Sequence, residues 1–100
     1  MNKLSGLAPW LQPYAEYLLR YFPQLRITSV YRSPTEQLEL WRNRANNPFP
    51  VAPPGRSFHE YHRAWDMQGP ADQLARAGQI WESWGGTWGG RIGDPIHFQA

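Results

Sequence analysis

Cysteine is absent from this chain of 100 residues, which excludes disulfides, thiolate metal ligands and a cysteine nucleophile together. Any metal must therefore be held by histidine and carboxylate. No apolar run approaches membrane-spanning length, and residues 1–9 lack the continuous apolar stretch of a signal peptide. No membrane insertion is expected. The product is expected to be made in the cytoplasm and to reach any substrate beyond the membrane only after release by another agent. Charge of one sign is scarce too, with 10 Lys and Arg against 8 Asp and Glu and a formal charge of +2. The basic residues are scattered and form no stripe, so nucleic acid is not indicated as a partner. A chain of this length makes one domain, residues 1–100, with a modest core, and a monomer is expected.

Where signals are present they alternate between helix and strand. Leu11, Tyr14 or Ala15, Leu18 and Phe22 recur at helical spacing, predicting a helix from about Pro9 to Phe22 with Gln12, Glu16 and Arg20 facing water. The β-branched and aromatic run Leu25–Tyr31 reads as a strand whose end delivers Arg32. Ser33 can then cap a second helix, with Pro34 at its first position and Glu36 placed for a capping box. That helix is expected to reach about Ala45, with Leu38, Trp41 and Ala45 towards the core. Residues 46–56 hold four Pro and one Gly without periodicity and read as a loop, either a lid over a site or a plain connector.

Arg63–Met67 reads as another strand, and Leu74, Ala77, Trp81 and Trp84 mark a third helix from about Ala71 to Trp84, ended by Gly85-Gly86. Thr87–Ile92 and Ile96–Gln99 are predicted as two further strands around a Gly93-Asp94-Pro95 turn. The sum is an α+β single domain with about three helices packed on a small, mainly antiparallel sheet. Of the aromatic residues, Trp41, Trp81 and Trp84 are assigned to the core.

Chemistry concentrates in Ser57-Phe58-His59-Glu60-Tyr61-His62-Arg63-Ala64-Trp65-Asp66 and in Asp94-Pro95-Ile96-His97-Phe98. His59, Asp66 and His97 make a three-ligand set for a zinc that keeps a position open to water. Asp66 lies among the apolar residues Ala64, Trp65 and Met67, where a carboxylate is costly unless it is paired or metal-bound. By turn chemistry alone Asp94 is a turn residue, and Arg32 alone is a surface ion-pair partner.

These motifs resemble those of the zinc D,D- and L,D-peptidases of peptidoglycan, the VanY/VanX-like carboxypeptidases and phage L-alanyl-D-glutamate endopeptidases. The likeness includes Ser29-Val30-Tyr31-Arg32-Ser33-Pro34-Thr35-Glu36-Gln37 and Trp88-Gly89-Gly90 and spans roughly residues 25–99. One departure is His62, where the family usually has Gly and where a positive φ would be demanded. The resemblance implies zinc as cofactor, the peptidoglycan stem peptide as substrate, Asp94 as catalytic acid and base, and Arg32 as the group that holds a substrate oxygen.

Gln37 and Ser57 would orient their neighbours or touch substrate, and Tyr61 and Trp88 would stand at the rim. The Asp form of the last motif favours an L-alanyl-D-glutamate endopeptidase over a D-alanyl-D-alanine carboxypeptidase. A zinc-stabilised binding module without turnover is a further alternative. An Fe(II) oxygenase, which also uses two His and a carboxylate, is disfavoured because six residues, rather than one, separate His59 from Asp66.

Overall fold

The computed structural model describes residues 3–100. Three helices, α1 (Gln12–Tyr21), α2 (Pro34–Arg42) and α3 (Ala71–Ser83), accompany four strands, β1 (Arg26–Ser29), β2 (Ala64–Gln68), β3 (Thr87–Trp88) and β4 (His97–Gln99). The strands form one sheet in the order β1-β2-β4-β3 with every pair antiparallel. This is the α+β architecture expected.

Alternation along the two central strands decides what each sheet face carries. Trp65 and Met67 of β2 and Phe98 of β4 are fully buried in the apolar core, which they share with Leu11 just before α1, Ala15 and Leu18 of α1, and Leu74, Ala77 and Trp81 of α3. The indole of Trp65 stacks on Phe98 at 5.5 Å between ring centroids, and Trp81 meets it edge-on at 5.0 Å. The intervening residues Asp66, His97 and Gln99 point to the opposite face, as a two-residue period requires. Leu4 and Leu7 of the N-terminal segment join the same core.

Several boundaries differ from expectation for physical reasons. Helix α2 is started as predicted: Ser33 Oγ accepts from the Glu36 N–H at 3.1 Å, and the Glu36 carboxylate accepts from the Ser33 N–H at 3.0 Å. It ends at Arg42, however, and a separate 3-10 turn follows over Arg44–Asn46. Leu38 and Trp41 are only half-buried and lie outside the core, Ala45 is exposed, and the one buried residue of α2 is Gln37. Helix α2 borders a cavity on the polar face of the sheet through Gln37 and Leu40, and the buried Gln37 amide is satisfied there by the Ala52 carbonyl.

Strand β3 is two residues long rather than six, because Gly89–Ile92 turn as a 3-10 helix. Gly89 allows this: a Cβ there would come within 2.4 Å of the Asp94 carbonyl oxygen. Trp84, expected in the core, is 41% exposed at the end of α3.

Candidate active site

The polar face of the sheet gathers the site. Asp66 and His97 are direct partners across the β2–β4 ladder, so both side chains rise side by side. His59 arrives from a 3-10 turn over Phe58–Tyr61, which Ser57 caps by accepting the His59 N–H at 3.3 Å. That turn is tied to the segment leaving β1, since the Arg32 N–H donates to the His59 carbonyl at 3.2 Å. His59 is almost wholly buried.

Each imidazole has its outer nitrogen occupied. His59 Nδ1 lies 2.5 Å from the Val30 carbonyl, and His97 Nε2 lies 2.7 Å from Gln99 Oε1. Both partners only accept, so the ring proton sits on the outer nitrogen, leaving His59 Nε2 and His97 Nδ1 turned inward. Each inner nitrogen is 3.2 Å from the same oxygen, Asp66 Oδ1. Three acceptors thus converge, with ligand atoms all within 4.8 Å of one another. Such a set repels itself unless a cation sits among it, either a shared proton or a metal ion. The residue types are those of a three-ligand zinc site, and this is the one such group among the described residues.

The second oxygen of Asp66 is spoken for. Arg32 Nη2 donates to Asp66 Oδ2 at 3.0 Å, which leaves Oδ1 as the inward donor. Where a proton is the shared cation, burial alone would raise the Asp66 pKa, but hydrogen bonding with His59 and His97 outweighs it and holds the carboxyl well below the ordinary carboxylate range. In that metal-free state burial opposes the charged form of His97, yet the bonds to Asp66 and Gln99 prevail and raise its pKa. Asp94 behaves differently. Burial dominates, helped by the negative charge of Asp66 and opposed by His97, and its pKa is raised. One of its oxygens, Oδ1, is buried without any hydrogen-bond partner.

These groups share a cavity of about 320 Å³ that Arg32, Gln37, Ser57, His59, Asp66, Asp94 and His97 line on one side. Phe49, Val51 and Ala52 of the proline-rich loop, with Leu40, Ile92 and Ile96, supply apolar walls. The loop is anchored: Gln37 Nε2 donates to the Ala52 carbonyl at 2.7 Å, and Glu60 accepts the Gly55 N–H. A larger, shallower groove of about 770 Å³ lies on the other side of Arg32, between β1 and α2. Among the described residues it holds no set of three metal-ligating side chains, its carboxylates being those of Glu36 and Glu39 alone, so the chemistry belongs to the smaller cavity.

Among the residues named from the sequence, His59, Asp66, His97, Asp94, Arg32, Gln37 and Ser57 are brought together. Tyr61 and Trp88 are not part of the cavity lining. Tyr61 is exposed and donates its hydroxyl to the Gly55 carbonyl at 2.6 Å, bracing the loop from outside. Trp88 lies against α3, where a Cβ at Gly78 would strike its ring at 2.2 Å, and its indole N–H donates to the Pro95 carbonyl at 2.8 Å.

His62 does adopt the left-handed conformation, with φ of 59°. It is no part of the ligand group: its ring stacks on Tyr31 at 4.3 Å and its Nδ1 meets the Gly6 carbonyl at 2.9 Å. Sequence reasoning passed over Gln99, although it sits two residues beyond His97 on the same strand face.

No protein-family model matches the chain, and no curated protein matches it in sequence. Among solved structures, the L-Ala D-Glu endopeptidase ChiX of Serratia marcescens aligns with a TM-score of 0.70 at 24% identity. The alignment covers 97% of this chain and 82% of that one. At that identity the likeness establishes a shared fold.

Proposed function

We propose that this chain is a zinc-dependent peptidase of the peptidoglycan stem peptide, acting as an L-alanyl-D-glutamate endopeptidase. The observation that carries the reading is the convergence of His59 Nε2, Asp66 Oδ1 and His97 Nδ1 beside the unpartnered Oδ1 of Asp94. The shared fold of a solved L-Ala D-Glu endopeptidase supports it. His59, Asp66 and His97 would hold the metal, which when bound activates water and polarises a carbonyl.

The chain's own residues supply the rest. Asp94, whose raised pKa makes it a better proton acceptor than an ordinary carboxylate, takes the proton of the attacking water. It then returns that proton to the departing amine, and the partner-free oxygen is where the transfer occurs. Arg32, which lines the cavity, keeps Asp66 in its ligating orientation through Nη2 while Nη1 reaches Gln37 Oε1 at 3.4 Å, and a substrate carbonyl would accept from the guanidinium N–H groups left over. The loop carrying Phe49 and Val51 shields the site from bulk water.

An endopeptidase is favoured over a carboxypeptidase by two features. Arg32 is tied to both Asp66 and Gln37, which leaves it too few free N–H groups for a bidentate clamp on a chain-terminal carboxylate, and a second groove, between β1 and α2, shares Arg32 and Leu40 with the cavity. A binding module without turnover leaves the buried, unpaired Asp94 oxygen without a use. Mass spectrometry of fragments released from defined peptidoglycan tests the reading. A new N-terminal D-Glu is expected; release of free D-Ala would make the chain a carboxypeptidase, and no release from zinc-loaded protein would reject peptidase activity.

A further inference from the structure

Away from the cavity, on the outer side of the layer formed by α1 and α3, four aromatic rings touch one another in the open. Tyr14, Tyr17, Tyr21 and Trp84 are 44, 51, 56 and 41% exposed. Tyr21 stacks on Tyr17 at 6.0 Å, Tyr17 meets Trp84 edge-on at 5.3 Å, and Trp84 meets Tyr14 at 5.7 Å. Tyr14 continues the chain of rings to the buried Trp81 at 6.0 Å, which roots the group in the core. The three tyrosines recur at helical spacing along one side of α1.

We infer that this surface binds the faces of neutral sugar rings, and specifically a glycan strand of the same polymer whose peptides the cavity is proposed to cut. Four features of the patch point to that occupant. It is built from rings alone, so it offers flat faces to the C–H faces of pyranoses. The hydroxyls of Tyr14, Tyr17 and Tyr21 have no hydrogen-bond partner among the described residues, which suits a ligand with an apolar face and a polar rim.

The rings themselves carry no charge, and the charges beside them are of both signs: Glu82, two residues before Trp84, is paired with Arg91 by two 3.0 Å hydrogen bonds, and Glu16 and Arg20 stand exposed on α1, so no field of one sign marks the patch for a polyanion or a basic peptide. Its extent from Tyr14 to Tyr21 is about 10 Å along the helix, enough for roughly two linked sugar rings. At this exposure four rings present about 400 Å², half of the about 800 Å² per partner that a stable dimer uses. A second copy of the chain is therefore a poor fit, whereas a narrow strand is not.

Because the rings already hold one another, binding orders little. The patch and the cavity lie on opposite sides of the sheet, so the strand held at the back is a neighbour of the strand being cut. The consequence is retention on an insoluble wall rather than faster chemistry.

The choice of sugar rests on the peptidoglycan reading, so the test uses peptide-free glycan and keeps the two separable. The intact protein is titrated with soluble β-1,4-linked N-acetylglucosamine oligomers, which are neutral and carry no peptide, followed by calorimetry and by NMR of the Trp84 indole. Binding that moves the Trp84 signal is expected, and Tyr17→Gln with Tyr21→Gln should weaken it on the order of tenfold. Trp84→Ala should do the same. The variants should hydrolyse a soluble stem peptide at the wild-type rate and insoluble walls more slowly.

No glycan binding by the wild type, or binding that the patch variants leave unchanged, would overturn the inference. So would a dimer in sedimentation that the patch variants dissolve, since it would give the face to a second copy. Glycan binding by a protein that cuts no stem peptide would leave this inference standing and reject the peptidase reading instead.

Discussion

The two faces of the sheet are made by alternate residues of the same two strands, and they are held together by different physics. On one face Trp65, Met67 and Phe98 are sealed against α1 and α3 by apolar contact. On the other, Asp66, His97 and Gln99 form a chain of directional bonds running from Arg32 through Asp66 to His97 and on to Gln99. Helix α2, which borders the cavity on that second face through Gln37 and Leu40, contributes no residue to the core. Stability is thus concentrated on one side and chemistry on the other, one residue apart in sequence. The bonded side works by fixing hydrogens and lone pairs; the apolar side works by excluding water.

The sharpest way to test the separation is to disturb chemistry alone. Asp94→Asn keeps the shape and cannot accept a proton, so turnover should fall by about a hundred- to ten-thousand-fold, with zinc content and thermal midpoint at wild-type values. The pH profile gives a second reading. Activity requires Asp94 ionised, so the wild-type rate should fall as pH drops through its pKa, which burial raises from the ordinary aspartate value. That limb should vanish from the residual activity of the variant. A variant with near wild-type turnover would return Asp94 to the role of a turn residue.

The converse substitution is Phe98→Ala, which empties the apolar face between two residues of the site. Truncation of a fully buried Phe costs about 3–5 kcal/mol, to be measured by denaturant unfolding of the metal-free protein. The fraction that remains folded should bind zinc and turn over within a few-fold of wild type. If the folded fraction lost zinc instead, the two faces would be coupled more tightly than the alternation implies.

Gln99→Leu probes the far end of the bonded chain. Without the acceptor, the His97 proton is no longer held on Nε2, so zinc affinity should weaken by about 10- to 100-fold. Nitrogen NMR of the metal-free protein should show a mixture of His97 tautomers where the wild type shows one. Gln99→Glu keeps an acceptor and should restore the single tautomer.

The smallest effect is expected at His62. His62→Gly relieves a left-handed φ while losing the stack on Tyr31 and the bond to Gly6. The two should nearly cancel, leaving stability within about 1 kcal/mol and zinc affinity unchanged. Loss of zinc would make His62 a ligand after all.

Much of this organisation is legible in the residues themselves. The capping box at Ser33, the α3 face from Leu74 to Trp81, the strand around Asp66 and the donor set of His59, Asp66 and His97 follow from local propensity, period and residue chemistry. The conformation of His62 is legible only through the resemblance, which has Gly at that position, where a positive φ is wanted. Periodicity could not tell that α2 borders a polar cavity rather than the core, so Leu38 and Trp41 were expected in a core they do not join. Nor could it tell that Trp84, at core spacing on α3, runs past the end of the sheet into the open.

What the sequence determined by itself is which side chains share a face. Alternation puts Asp66 opposite to Trp65, and His97 and Gln99 opposite to Phe98, whatever else the chain does. What only the tertiary structure decided is which of those side chains meet. Asp66 and His97 stand 31 residues apart, and they adjoin because the β2–β4 register pairs them; a slip of one residue would point one of them into the core. Arg32 reaches Asp66 Oδ2 only because the segment leaving β1 is tied to the turn that carries His59. Register and docking are long-range properties set by the burial of Trp65, Met67 and Phe98, so the apolar face fixes the alignment in which the polar face becomes a site.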